Sequence, residues 1–95
     1  MLVKRDRIGN TQVMLQAAQI RAARGLLGWR QQDLAKAAKI GLATLARIEQ
    51  REGPAQGRVS TIIRIQNALQ RAGVRFLEDD NGSYGVWLDK KPRRR

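Results

Sequence analysis

Gln31 to Glu49, QQDLAKAAKIGLATLARIE, is the stretch that decides the fold, because it divides into two short helices around a tight turn. Leu34, Ala35 and Ala38 fall on one side of the first, and Leu45 and Ile48 lie one turn apart on the second. Lys39-Ile40-Gly41 forms the turn between them. Ala35, Ala37, Ala38, Ala43 and Ala46 have little bulk, as two helices crossing closely at a steep angle require. Neither helix holds that crossing alone, so the flanking segments must supply the core.

The chain has 95 residues, enough for one small domain with a single core. It carries 19 Lys and Arg against 8 Asp and Glu, a formal charge of +11, and 14 of the basic residues are Arg. Such a balance favours a polyanionic partner. Charge alone also fits a ribosomal protein, a membrane-surface peptide or a soluble basic domain, so the fold must decide. There is no Cys, which excludes disulfides and thiolate metal sites, and no His, which removes the commonest participant in zinc and general-base chemistry. No enzyme, metal or cofactor is expected. No apolar run approaches the roughly 20 residues of a membrane span, and MLVKRDRIG lacks the apolar centre of a signal peptide, so no membrane association and a cytoplasmic setting are expected.

Residues 1–10 mix Lys4, Arg5, Asp6 and Arg7 with few apolar anchors and read as a basic flexible arm. Thr11 is a candidate N-cap for a helix running to about Leu27, with Val13, Ala17, Ile20, Ala23 and Leu27 on one face and Gln12, Gln16, Gln19 and Arg21 elsewhere. Gly28 ends it, and Trp29 should cover the core edge. After the central pair, Arg51 to Arg58, REGPAQGR, is a loop. A further helix starts near Val59, with Ser60 a candidate cap and Val59, Ile62, Ile65, Ala68 and Leu69 its apolar face, and stops at a left-handed Gly73.

The period then changes to two. Val74, Phe76 and Glu78 alternate with Arg75 and Leu77; Asp79-Asp80-Asn81-Gly82 is turn chemistry; Tyr84, Val86 and Leu88 alternate with Gly85 and Trp87. A lone β-hairpin is marginal in water, so it lies on the helices or pairs with a second copy. Phe76, Tyr84 and Trp87 are accordingly either lid residues over the core or a dimer surface. The basic tail, 89–95, should be disordered when unbound. The expected fold is mainly α, a compact bundle of four to five helices over 11–73 with a C-terminal β-hairpin at 74–88.

The segment from about Ile20 to Leu69 resembles the Cro and phage-repressor type of helix-turn-helix domain, the XRE family of bacterial regulators. The residues that carry the resemblance are Arg24, Leu27, Gly28 and Trp29, then Gln31, Leu34 and Ala35, then Ile40, Thr44, Leu45, Ile48 and Glu49, then Ala68-Leu69. The run GVRFLEDDNGSYGVWL is similar to the β extension of some small members. The resemblance implies that the second motif helix, about 42–50, enters the major groove of double-stranded DNA, with Leu42, Ala43, Thr44 and Arg47 facing the bases. Arg47 could donate two parallel bonds to guanine O6 and N7; the plainer reading is a phosphate contact or a solvated Arg. Leu42 and Ala43 would meet thymine methyl groups or merely fit the groove. Gln31, Arg51, Arg58, Arg30 and Lys39 are candidate phosphate contacts, Gln31 having a local cap as its alternative and Lys36 adding long-range attraction. The resemblance also pairs Arg24 with Glu49 as a structural salt bridge.

Three residues depart from the family pattern. Arg30 stands where Ser or Thr usually caps the first motif helix, Lys39 where Gly usually takes a left-handed backbone, and Gly41 where Ser or Thr usually precedes the second helix. The expected function is a sequence-specific transcriptional regulator, a repressor binding an inverted-repeat operator as a homodimer, in the bacterial or phage nucleoid. An antitoxin that also binds a toxin, and a regulatory module that binds another protein, are the alternatives.

Overall fold

The computed structural model describes residues 15–89 and the backbone of Arg5–Asp6. The elements are β1 (Arg5–Asp6), α1 (Ala17–Leu27), α2 (Gln31–Ala38), α3 (Leu42–Gln50), α4 (Val59–Arg71), β2 (Val74–Glu78) and β3 (Tyr84–Leu88). The four helices and the terminal hairpin are those read from the sequence. Thr11, Val13 and the tail from Lys90 lie outside the described residues.

The first helix begins later than the Thr11 cap predicts. Gln16 is extended at its N-cap, and Gln19 Oε1 accepts the Gln16 N–H at 2.9 Å, half of a capping box made with amides. Leu15 and Ala17 are meanwhile tied to the loop after α3: Ala17 N–H donates to Gly53 O at 2.9 Å and Ala55 N–H to Leu15 O at 2.8 Å. These bonds hold the chain extended where helical periodicity alone would continue α1 backwards. The helix ends at Gly28, whose φ of 72° allows Trp29 N–H to reach Arg24 O and Gly28 N–H to reach Gly25 O, a Schellman arrangement.

α2 packs on α3 and α4, while α1 packs on α3 and the sheet. Ile20, Ala23, Leu34, Leu45, Ile48, Ile65, Ala68 and Leu69 form the helical core. Val59 does not join it and is 73% exposed, contrary to the sequence reading. Helix geometry explains the difference, because Val59, the first residue of α4, is half a turn round from the buried Ala68. Gly57 of the preceding loop lies beside Ile48 and Ile62: a Cβ there would be 3.5 Å from Ile48 Cδ1 and 3.8 Å from Ile62 Cδ1. The helix cap is Arg58, and Ser60 is inside the helix.

β2 and β3 pair antiparallel in the register Val74 with Leu88, Phe76 with Val86 and Glu78 with Tyr84. Asp79 Oδ1 holds the turn by accepting from the amides of Asn81 and Ser83, both at 2.9 Å, and Gly82 supplies the positive φ of 88°. Arg5–Asp6 adds a third strand against Leu77 and Glu78, where the sequence predicts a flexible arm; its backbone donors and acceptors complete an otherwise unpaired edge.

Of the three aromatics considered for a dimer surface, Phe76 is buried with Val74 in the core and is unavailable for one. Tyr84 and Trp87 are each 47% exposed. Alternation separates them, since Trp87 opposes Arg75 on the outward face while Phe76 points to the helices.

Gln19, placed by its polarity away from the core, is instead 4% exposed. Its Nε2 donates to Gly85 O at 3.0 Å and approaches Leu77 O at 3.5 Å, so one amide caps α1 and also anchors the hairpin. Gln19→Leu, nearly equal in volume, is expected to lower stability by about 1 to 3 kcal/mol, because buried polar partners lose their bonds. Urea unfolding measures this, and a change within error would reject the anchoring role.

Candidate nucleic-acid interface

The buried carboxylate of Glu49 fixes the position of α3. It is 2% exposed, and burial without partners would be costly for a charge. Arg24 of α1 closes on it in a fork, Nε to Oε2 at 2.8 Å and Nη2 to Oε1 at 2.8 Å. Gln31, the first residue of α2, donates Nε2 to Oε1 at 3.0 Å. The third arm of the Arg24 guanidinium, Nη1, donates to Trp29 O at 3.0 Å. One carboxylate therefore ties α1, the α1–α2 joint, α2 and α3 together. Gln31 was expected to hold a phosphate or cap locally; the structure gives one of its amide hydrogens to Glu49 instead, and the other is not needed for that bond.

A second tie comes from Arg21, which sequence periodicity left on the polar side of α1. Its Nη1 donates to the carbonyl of Glu49. That carbonyl belongs to the last turn of α3, where helical partners run out and a cation is favoured by the helix dipole.

The turn before α3 stores strain at the place expected. Lys39 has φ 60° and ψ 48°, the only non-glycine residue with positive φ among the described residues. Ile40 N–H donates to Ala35 O at 3.0 Å and Lys39 N–H to Lys36 O at 3.2 Å, so α2 ends in the same Schellman geometry as α1 but on a lysine. At the other end of α2, Arg30 offers no side-chain acceptor as a cap. Asp33 compensates by accepting the Arg30 N–H at Oδ2, 2.8 Å, and its 3.7 Å ion pair with the Arg30 guanidinium is too exposed to add much. Gly41 caps α3 through its carbonyl, which accepts from Leu45 N–H at 3.1 Å.

With Leu45, Ile48 and Glu49 buried, the opposite side of α3 presents Ala43, Arg47 and Gln50, all exposed and spaced i, i+4, i+7. Leu42 is 48% exposed at the start of the helix, and Thr44 is half-buried at its side. Arg51 and Arg58 are exposed at the two ends of the loop that is pinned to Leu15 and Ala17. Arg30 is exposed at the N-cap of α2. Lys39 is turned to another neighbourhood, a groove between α2 and α4. Gln50 is not among the base-facing residues that the family resemblance implies; its position three residues after Arg47, opposite Leu45 and Ile48, is the signal for it in the sequence.

The charge on this surface is one-sided for a structural reason. Glu49 is the only acidic residue in α3, and it is buried against Arg24, so the exposed surface of the helix is neutral or cationic. Among the described residues, no group of three or more His, Cys, Asp or Glu is placed to hold a metal ion, and no helix is long and apolar enough to cross a membrane.

Residues 20–71 match the family model described as helix-turn-helix. Neither the curated proteins nor the solved structures yield a significant match. The matched span covers α1 from its fourth residue through the end of α4, and thus every contact made by Glu49.

Arg24→Ala is expected to cost about 3 to 5 kcal/mol, because it leaves the Glu49 charge buried without its main partner. A double-mutant cycle with Glu49→Ala, measured by chemical denaturation, should show the double variant losing less than the sum of the singles; simple additivity would contradict the tie. Lys39→Gly should raise stability by roughly 1 kcal/mol by relieving the left-handed backbone. An unchanged or lower melting temperature would show that no strain is held there.

Proposed function

Starting from a chain that belongs to the helix-turn-helix family and is a DNA-binding regulator of the XRE type, we propose that it is a repressor binding an inverted-repeat operator as a homodimer, with α3 in the major groove. One observation carries this reading: burial of Glu49 leaves Ala43, Arg47 and Gln50 as an outward stripe with no exposed carboxylate in the helix to repel a phosphate backbone. The major groove admits a helix and distinguishes all four base pairs by their edges. Arg47 reads guanine through its forked donors. Gln50 extends the same stripe with an amide able to donate and accept. Leu42 and Ala43 lie against thymine methyl groups, and the half-buried Thr44 offers a hydroxyl at the edge of the contact.

Arg51, Arg58 and Arg30 hold phosphates on either side, and Gln31 adds its second amide hydrogen at the start of α2. The loop between the first two is tied to the start of α1 through Gly53 and Ala55.

The dimer follows from reach. At 1.5 Å per residue the 9 residues of α3 span about 13 Å, roughly four base pairs, too few for an operator. Two such helices about 34 Å apart read successive major grooves. The exposed outward face of the hairpin around Trp87 and Arg75 is the dimer surface of this proposal. Removing the whole hairpin would also remove Val74 and Phe76 from the core, so a point change is the cleaner test.

In binding titrations, Arg47→Ala should lose about 1 to 3 kcal/mol on the preferred duplex and much less on an unrelated one. Arg51→Ala should weaken both alike and lower the salt slope by about one. Equal losses on both duplexes for Arg47→Ala would reject base reading. For assembly, Trp87→Asp should shift sedimentation from dimer to monomer with the helical signal intact; an unmoved dimer would exclude this face.

A further inference from the structure

On the flank of the molecule, α2 and α4 enclose a groove of about 280 Å³ lined by Ala37, Ala38, Lys39, Arg64, Asn67 and Arg71. Three of these six side chains are cationic, one is an amide, and none is acidic. Arg64, Asn67 and Arg71 follow the i, i+3, i+7 spacing of one face of α4, so a rigid helix brings them together. The alanines leave the floor open. Among the described residues neither Lys39 nor Arg71 has an ion-pair partner, so two positive charges face the same space without a counterion from the fold.

Two features show that this cluster is held rather than merely nearby. Arg64 Nη1 donates to Lys39 O at 3.2 Å, which fixes the guanidinium against the end of α2 and leaves its other donors for the groove. Lys39 occupies a left-handed position at φ 60°, where glycine would be less strained. Lys39 thus carries its cation at a strained backbone position on the edge of the groove.

We infer that the groove is a phosphate-binding site, distinct from the outward stripe of α3 and filled by the oxyanions of a phosphate ester or polyphosphate. The guanidinium groups match paired phosphate oxygens, Lys39 supplies a point charge, and Asn67 donates from its amide. The phosphates come either from a free polyphosphate or from the DNA backbone beside the recognition helix. The second source is geometrically open, because Lys39 is three residues from Leu42 and so at most about 11 Å from the start of α3. The free-phosphate source does not rest on the DNA reading.

The test uses full-length protein labelled with nitrogen-15 and titrated with inorganic tripolyphosphate at physiological salt. The expected result is saturable shifts of the Asn67 side-chain amide and of the amides of residues 37–39. Affinity should fall roughly tenfold in Lys39→Gly, which keeps the turn, and in Arg71→Gln, but hold in Arg93→Gln, which removes the same charge elsewhere in the chain. Salt slopes of duplex binding then separate the sources: a drop of about one in the two groove variants assigns the site to backbone phosphates, and unchanged slopes assign it to a free ligand. Shifts spread over the surface, or weakened as much by Arg93→Gln, would overturn the site as a diffuse ion atmosphere. Saturable groove binding by polyglutamate but not by tripolyphosphate would overturn the phosphate assignment in favour of an acidic protein. Tripolyphosphate binding in the groove by a protein that binds no duplex would sustain this inference and sink the DNA reading.

Discussion

A carboxylate taken out of water must be met by donors, and in this chain that constraint organises the helices. Glu49 lies near the C-terminal end of α3, and its partners come from elements far apart in sequence, Arg24 from α1 and Gln31 from α2. The apolar residues around it would accept several near-equivalent packings, since dispersion and burial carry little directional preference. A forked guanidinium does not. It accepts one plane and one distance, so the rotation of α3 about its own axis is set by the bonds that neutralise Glu49. The same bonds decide which residues face outward. If Glu49 is in, Ala43, Arg47 and Gln50 are out.

The periphery reinforces that rotation with backbone bonds. Leu15 and Ala17 hold the loop that follows α3, while Arg21 takes up a carbonyl that the end of α3 cannot satisfy itself. The hairpin closes the other side: Val74 and Phe76 enter the core, and Gln19 reaches from α1 to the carbonyl of Gly85. Gly57 lies close to Ile48 of α3 and Ile62 of α4. The result is a short helix held on several sides with one face left to solvent. Such a face suits recognition, because its side chains need not be ordered at the moment of binding by movement of the backbone beneath them.

Much of this was legible in the residues. Periodicity located the four helices and the hairpin, and the glycine after Leu27 marked one left-handed end, while the family resemblance implied the other at Lys39. What escaped was decided by contacts between distant segments. Helical spacing cannot show that Leu15 and Gln16 are held extended by the bonds of Leu15 and Ala17 to Ala55 and Gly53. Polarity misled at Gln19, whose amide is buried because two backbone groups need it. At Phe76 alternation allowed either the core or a second copy, and the need to cover the helices settled it. Of the candidate interface, the outward position of Arg47 was implied by the family resemblance, and it agrees with the burial of Leu45 and Ile48. The diversion of the Gln31 amide to Glu49, the grouping of Lys39 with Arg64 and Arg71, and the place of Gln50 required the assembled helices.

The central proposition is that the rotation of α3 imposed by Glu49 presents Arg47 to the edges of bases. Selection of bound duplexes from a random library, run in parallel with the natural chain and with Arg47→Ala, tests it most directly. The expected outcome is a palindromic consensus with half-sites about one helical turn apart, in which one symmetric pair of guanines loses its preference in the variant while the remaining positions persist. A library that yields no consensus, or the same consensus from both proteins, would contradict it.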